Sequence, residues 1–174
     1  MCITSFLYIR LVIERHDMKE RFSHKLNLKK VAEGLGLSES EVIAFLNDGR
    51  IVGRLGEFIY ANKIGAQRAK SEGSSYDVDG VNGERIEVRS ITEKISFASS
   101  KEVGYGRKVT ENGFNEKMNS LDFFVGIDFR EMSNLRFIEI GKEDVKEMES
   151  AGILRKNKSV GFKKFFNFLN SKNK

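Results

Sequence analysis

The chain has 174 residues and a mass of 19.8 kDa, enough for one main domain with a real core and only a small second part. Its 40% hydrophobic and 32% charged residues are typical of a soluble globular protein and exclude the disordered and fibrous classes. Thirty Lys and Arg against 25 Asp and Glu give a net charge of +5, which favours a polyanionic partner without requiring one.

Cys2 is the only cysteine in the sequence. It can form neither an internal disulfide nor part of a cysteine-rich metal site, so a cytoplasmic location is expected. The longest apolar stretch, Ile3 to Ile13, is interrupted by polar residues and falls short of the roughly 20 residues of a membrane span. It also lacks the flanking residues of a secretory signal. We expect a buried helix there and no association with a membrane.

The first part of the chain is predicted to be helical. Residues 5–23 have the apolar spacing of an amphipathic helix, and His16 and His24 are expected on the surface of this region. A further helix is predicted over residues 53–71. It ends in a Gly- and Ser-rich turn.

The sequence of residues 28–47 predicts two helices with the residue spacing of a helix-turn-helix unit. Gly36 ends the first helix, and Ser38 with Glu41 makes a capping box for the second. The expected anchors are Ala32, Val42 and Phe45. The residues on the exposed side of the second helix are Glu39, Ser40, Ile43 and Asn47. Because none of these is Lys or Arg, structural helices are favoured over a base-reading module.

After residue 75 the pattern changes from helical to strand-like. Short strands are predicted at 76–79, 85–91 and 95–98. A helix at 112–119 then leads to residues 121–129, whose apolar character predicts a central strand. The remaining predicted elements are a strand at 135–140 and helices at 142–151 and 160–169. Together these elements predict an α/β fold.

The segment 75–91 carries the strongest functional signal. Successive side chains of a strand point to opposite faces. Ile86 and Val88 therefore share one face, and Glu87 and Arg89 share the other. One strand thus combines an apolar face with a charged face.

Asp77 is expected opposite Glu87, because burial selects the register of the hairpin. A five-residue loop from Gly80 to Glu84 pairs Val78 with Ile86, so that the apolar side chains are buried and both carboxylates face a solvated site. Opposed carboxylates repel each other unless a hard cation lies between them, and Mg²⁺ typically takes one or two carboxylates. Such an ion can activate water and neutralise charge on a phosphodiester.

This order of residues resembles the PD-(D/E)XK nuclease superfamily, and within it the type II restriction endonucleases. The family has an Asp on one strand, Glu-x-Lys on the next, and often an acid from a preceding helix. Asp77, the segment Glu87-Val88-Arg89, and Glu57 fit these places. The resemblance covers roughly the middle half of the chain. It implies an αβββαβ core with a mixed sheet, in a nuclease domain over residues 53–174 that follows an N-terminal helical subdomain over residues 1–52.

The resemblance implies a sequence-specific endonuclease of a restriction system that hydrolyses double-stranded DNA with Mg²⁺ and acts as a homodimer. Asp77 and Glu87 would be catalytic and would bind the metal, and Arg89 and Glu57 would also be catalytic. Tyr76 stands in place of the family's proline. Arg89 occupies the lysine position, where it can stabilise charge but cannot act as a base. Another candidate for the cation is Lys94 or Lys101.

Three alternatives remain beside the nuclease interpretation. The hairpin can be an ordinary one with surface acids, in which Glu87 and Arg89 form a neighbour pair. The protein can be a non-catalytic DNA-binding protein that uses the helices at 28–47. It can also be a nuclease fold that has lost its chemistry at Arg89.

Two basic segments are candidates for DNA contact. The first is a loop rich in Gly and Ser, with the expected contacts Lys101, Arg107, Lys108, Ser99, Ser100 and Tyr105; a solvated basic loop has the same composition. The second is the tail from Arg155, with seven Lys and Arg and no acid. Its apolar residues Phe162, Phe165, Phe166 and Leu169 have a spacing that favours docking of a helix on the core over base stacking.

Overall fold

A computed structural model describes residues 20–70, 74–99, 101, 102 and 108–172. The helices are α1 (Leu28–Leu35), α2 (Glu39–Leu46), α3 (Gly49–Ile64), α4 (Glu111–Ser120), α5 (Lys142–Ser150) and α6 (Phe162–Ser171). The strands are β1 (Glu20–Lys25), β2 (Gln67–Arg68), β3 (Val78–Asp79), β4 (Arg85–Ile91), β5 (Lys94–Ser96), β6 (Phe123–Asp128), β7 (Asn134–Gly141) and β8 (Ser159–Gly161). The predicted mixed α/β fold is confirmed.

The main sheet has six strands in the order β1-β7-β6-β4-β3-β2. Strands β4 and β6 are parallel, and the connection between them contains α4; the other neighbours are antiparallel. Strand β6 is central, as its apolar sequence predicts, because both of its faces are covered. At Gly126 an added Cβ would lie 2.7 Å from the Ile91 side chain, so a larger residue there would have to displace packed isoleucine side chains.

The sheet separates two apolar cores, since alternate residues of β6 point to opposite faces. Val125 and Ile127 pack in one core with residues of α1, α2 and α3. Phe124 packs in the other core with residues of α4, α5 and α6. We call these the first and second faces of the sheet. The candidate site forms on the second face beside β3, one strand in from the β2 edge of the sheet.

Two helix predictions are wrong in part. Residues 20–23, predicted to end the first helix, belong to strand β1, which pairs with β7 at the edge of the sheet; residues 5–19 and His16 lie outside the described residues. His24 therefore lies on a strand, where every second residue is partly buried. The helix predicted over 53–71 begins earlier and ends at Ile64, because Gly65 adopts a left-handed φ of 71°. Residues 67–68 then form β2.

The helix pair at 28–47 is confirmed, including the left-handed Gly36 and the capping box of Ser38 and Glu41. Phe45 is not an anchor, however, because 54% of it is exposed and Leu46 is buried in its place. The strand predicted at 95–98 pairs with β8 in a separate two-stranded sheet, where the resemblance implied a third strand of the core. In α6 the apolar stripe docks on the core as predicted, with Phe165 fully buried.

No helix within the described ranges is long and apolar enough to cross a lipid bilayer.

Candidate active site

The hairpin of β3 and β4 has the predicted register, with Val78 opposite Ile86. The Asp77 amide donates to the Ile86 carbonyl at 2.9 Å. The Asp77 carboxylate in turn accepts a hydrogen bond of 2.8 Å from the Val88 amide, at its Oδ2 atom. The backbone of β4 therefore fixes the Asp77 side chain beside the strand that carries Glu87.

Glu87 lies on the second face of the sheet, opposite to Ile86 and Val88, as the alternation predicts. The prediction that it faces a solvated site is wrong, because only 2% of Glu87 is exposed. The reason is α4, which docks on this face through Phe114 and Met118 and covers the carboxylate. A buried carboxylate requires cations or hydrogen-bond donors nearby to remain ionised.

Lys117 of α4 supplies one of these cations. Its Nζ atom lies 2.5 Å from Oε2 of Glu87 and donates to the Ser75 carbonyl at 2.6 Å. The residue is 6% exposed, so the ammonium group is almost wholly removed from bulk solvent. Sequence reasoning missed this residue, although the signal was there: a lysine shares the apolar face of a short helix with Phe114 and Met118.

Arg89 supplies the second cation. Its Nη2 atom lies 2.5 Å from Oε1 of Glu87 and donates to the Ala98 carbonyl at 2.9 Å. The neighbour pair of Glu87 and Arg89, expected in the alternative of an ordinary hairpin, is therefore formed, but Glu87 is not the surface acid of that alternative. Each oxygen of Glu87 faces a different cation, one from its own strand and one from the crossover helix.

Burial controls the protonation of this group. It raises the pKa of Glu87, while Arg89 and Lys117 act in the opposite direction and the charge of Asp77 adds to the rise. Burial also lowers the pKa of Lys117, against the effect of Glu87. A lysine with a lowered pKa gives up its proton more readily than an exposed one, and arginine cannot do so.

Glu57 reaches the same site from α3, on the first face of the sheet. The helix approaches β6 closely at Gly56, where an added Cβ would lie 1.8 Å from the Ile127 side chain. Glu57 Oε2 accepts from Arg68 Nε at 3.1 Å and lies 3.8 Å from Arg54 Nη1. Burial raises the pKa of Glu57 to about 7, and the charge of Asp77 contributes to the rise.

A polar cleft of about 210 Å³ opens over these side chains. It is lined by Arg54, Glu57, Arg68, Ala69, Lys70, Ser74, Tyr76, Asp77, Glu87 and Lys117. The lining has three carboxylates and four cationic side chains. Such a mixture suits a ligand that carries both charges, for example a phosphate with a divalent cation.

The donor set of the cleft fits a hard divalent cation. Asp77 and Glu87 offer carboxylate oxygens, the ligands that Mg²⁺ prefers, and Mg²⁺ often takes only one or two of them besides water and substrate. Within the described part of the chain, no group of three His, Cys, Asp or Glu side chains is arranged to hold a metal by itself. A metal at this place would therefore need oxygen ligands from water or substrate.

The predicted DNA contacts are only partly described. Ser99 and Lys101 line a second cleft of about 260 Å³, which shares Ser74 and Lys117 with the first. Lys108 is exposed near the start of α4. Ser100, Tyr105 and Arg107 lie outside the described residues. Lys94, the other cation considered beside Lys101, is exposed on β5 and does not line either cleft.

Comparison with known proteins adds no relative. A scan of the sequence against models of protein families finds no match, and a search of curated proteins finds no significant similarity.

Proposed function

We propose that the protein is a Mg²⁺-dependent endonuclease of the restriction type, which hydrolyses phosphodiester bonds of double-stranded DNA. One observation carries the proposal: a buried Glu87 lies between Lys117 and Arg89, and shares a polar cleft with Asp77. Sites of acid-base chemistry commonly combine a buried acid, a buried lysine and a further acid in one cleft.

Asp77 and Glu87 would hold the metal in this function. When bound, Mg²⁺ supplies an acidified water molecule and neutralises charge on the phosphate. The backbone amide of Val88 keeps Asp77 in place, so one ligand is oriented before the metal arrives. Glu57 lies beside Arg68 and acts through water or through the charge of Asp77.

Lys117 takes the part that the family resemblance assigns to a lysine after the glutamate. Its ammonium group touches Glu87 from the crossover helix, so it can stabilise the charge that develops on the phosphate. Its lowered pKa also permits proton transfer. Arg89 then orients Glu87 through its contacts with Oε1 and the Ala98 carbonyl.

Plasmid DNA incubated with the protein and Mg²⁺, and in parallel with EDTA, tests the activity itself. Lys117→Met should lower the single-turnover cleavage rate by at least about 100-fold, the effect of removing one electrostatic donor in a dry site. Arg89→Lys should lower it far less, because Lys117 still supplies the cation. Lys146→Met is the control, since this lysine lies exposed on α5.

A wild-type rate in folded Lys117→Met would contradict the role of this lysine. If the wild-type protein cuts no DNA with any divalent metal, the nuclease proposal itself fails. Circular dichroism on each variant separates loss of chemistry from loss of fold.

The second candidate function is a nuclease fold that binds DNA without cutting it. It is favoured by the ion pairs of Glu87, because both carboxylate oxygens already face protein cations and a metal would have to displace at least one of them. DNA binding measured by fluorescence anisotropy, together with an absence of cleavage in Mg²⁺ or Mn²⁺, would support this candidate.

The homodimer and the cytoplasmic location belong to the same proposal. A twofold dimer would bring one site to each strand of a symmetric DNA sequence. Sedimentation with and without DNA measures the oligomeric state.

A further inference from the structure

A further cleft, lined mainly by basic side chains, lies outside the candidate active site, beside the first turn of α6. It has a volume of about 340 Å³ and is lined by Glu93, Ile153, Arg155, Gly161, Phe162, Lys163 and Lys164. We call it the α6 cleft. Its charged lining consists of three cations and one acid. Arg155, Phe162, Lys163 and Lys164 belong to the basic tail of the sequence, and none of the lining residues lines the candidate active site.

The three cations of the α6 cleft have no internal role in the fold. Among the residues that the structure describes, Arg155, Lys163 and Lys164 form no side-chain hydrogen bond or ion pair. Lys158, three residues after Arg155, differs because it contacts Glu111 and Glu149. The described lining of the α6 cleft therefore has three cations without an acidic partner and a single acid, Glu93.

The position of the lysines also argues against a structural role. Lys163 and Lys164 are the second and third residues of α6, where a positive charge opposes the helix dipole. Gly161 at the N-cap makes no side-chain cap, and no acid lies in the first turn. Two cations there cost helix stability. Binding of an anion would remove that cost.

We propose that the α6 cleft binds the phosphate backbone of the same DNA duplex that enters the candidate active site. This inference rests on the proposed function. Glu93, on the rim of the cleft, follows Glu87 by six residues, a span of at most roughly 20 Å at the rise of a strand. Phosphates of one B-form duplex recur over such a distance, with base pairs about 3.4 Å apart. Contacts of this kind raise affinity and fix register without reading sequence.

The salt dependence of DNA binding tests the proposal. Wild-type protein and Lys163→Gln/Lys164→Gln are titrated with a labelled duplex in EDTA over a series of KCl concentrations, so that no cleavage occurs. The double variant should lower the slope of log Kd against log salt by about two units, one for each lost phosphate contact. Arg155→Gln alone should lower it by about one unit.

Lys29→Gln/Lys30→Gln is a closely matched control. These lysines are also exposed and are also the second and third residues of a helix, α1, so the double variant loses the same charge at the same helix positions. Its slope of log Kd against log salt should equal that of the wild-type protein, because the proposal assigns no phosphate contact to Lys29 or Lys30. Equal slopes for the two double variants would overturn the proposal.

These measurements distinguish a failure of the α6 cleft proposal from a failure of the nuclease proposal. If the α6 variant alone has the lower slope while the wild-type protein fails to cut DNA in Mg²⁺, the cleft is a DNA contact of a non-catalytic protein. If cleavage depends on Lys117 while the α6 slope is unchanged, the nuclease stands and the cleft is not a DNA contact. Wild-type protein that binds no duplex in EDTA or in Mg²⁺ would overturn the assignment of the cleft to DNA.

Discussion

Glu87 and Asp128 are two buried carboxylates on the same face of the main sheet, on the neighbouring parallel strands β4 and β6. Glu87 is 2% exposed and Asp128 is 3% exposed. Each touches two cationic side chains. The two residues thus share burial, charge and location, and they differ in what surrounds them.

Asp128 has a complete set of donors. Arg130 donates to both of its oxygens, at 2.7 and 2.6 Å, and Arg136 donates to Oδ2. The Arg130 guanidinium also lies 4.2 Å from the ring centroid of Phe162. Burial acts to raise the pKa of Asp128, but the hydrogen bonds from the two arginines hold it below its usual value.

At Glu87 the effect of burial on the pKa outweighs the effect of the two cations. Burial raises its pKa, and the charge of Asp77 adds to the rise, despite Arg89 and Lys117. It also lines an open cleft, whereas Asp128 does not line any of the clefts described above. Two cations therefore keep the pKa low for a buried carboxylate that has complete hydrogen bonding. They do not do so for a buried carboxylate that lies beside a second carboxylate. The proximity of Asp77 and Glu87 is the feature of this site that a further cation would stabilise.

The largest expected difference between the two carboxylates is in activity. Glu87→Gln should abolish cleavage, with a loss of at least about 1,000-fold, or on the order of 4 kcal/mol, because an amide is a poor ligand for Mg²⁺. Asp128→Asn should cut DNA at nearly the wild-type rate at a temperature where it is folded. Single-turnover rates measure both.

Comparable losses in the two variants would break the contrast, since they would mean that Asp128 also serves the reaction or that both changes act through the fold. Thermal unfolding of each variant identifies the second case.

A smaller difference is expected in stability, and in the opposite order. Asp128→Asn should lower the free energy of unfolding by about 2 kcal/mol, because two arginines lose the charge that satisfies them; both are about one-third exposed, which limits the loss. Glu87→Gln should change it by less than about 1 kcal/mol, since the loss of repulsion from Asp77 and the release of a proton by Lys117, whose pKa is already lowered, offset the loss of a partner for Lys117 and Arg89. Urea denaturation at neutral pH gives both values, and a larger loss for Glu87→Gln would identify Glu87 as the structural carboxylate.

The same contrast separates what the sequence could predict from what it could not. The register of Val78 and Ile86 was predictable, because a slip by one residue would expose a whole apolar face. That choice also placed Asp77 beside Glu87. The capping box at Ser38 was predictable for a similar reason, since its hydrogen bonds are local.

Lys117 and Arg68 were not predicted, because their roles depend on tertiary packing. A lysine on the apolar face of a short helix gives no indication of which carboxylate it meets until α4 is placed on the sheet. Arg68 reaches Glu57 only because α3 ends at Ile64 and the chain returns as β2. The segment 20–23 was predicted as a helix because its strand depends on pairing with β7, more than 100 residues later.

The smallest expected effect concerns pH, and it involves the third carboxylate of the cleft. The pKa of Glu57, raised from its usual value to about 7, means that the folded protein favours protonated Glu57. The stability from this preference is fully present below the unfolded pKa, about 4.5, and is lost as pH rises through about 7. The lowered pKa of Asp128 has the opposite sign: its contribution is present above its unfolded pKa and is lost only on strong acidification.

Glu57→Gln keeps a neutral side chain of the same shape at every pH. It should therefore match the wild-type stability near pH 5 and exceed it near pH 8 by about 1 kcal/mol, less than the full pKa shift implies, because Glu57 lines an open cleft where solvent screens its charge. The effect of Asp128→Asn should stay constant over that range. Because Glu87 and Lys117 are present in both proteins, their titration largely cancels in the comparison of Glu57→Gln with wild type. Urea denaturation at a series of pH values measures the differences, and a pH-independent effect of Glu57→Gln would show that Glu57 is ionised throughout and that its arginines outweigh both burial and Asp77.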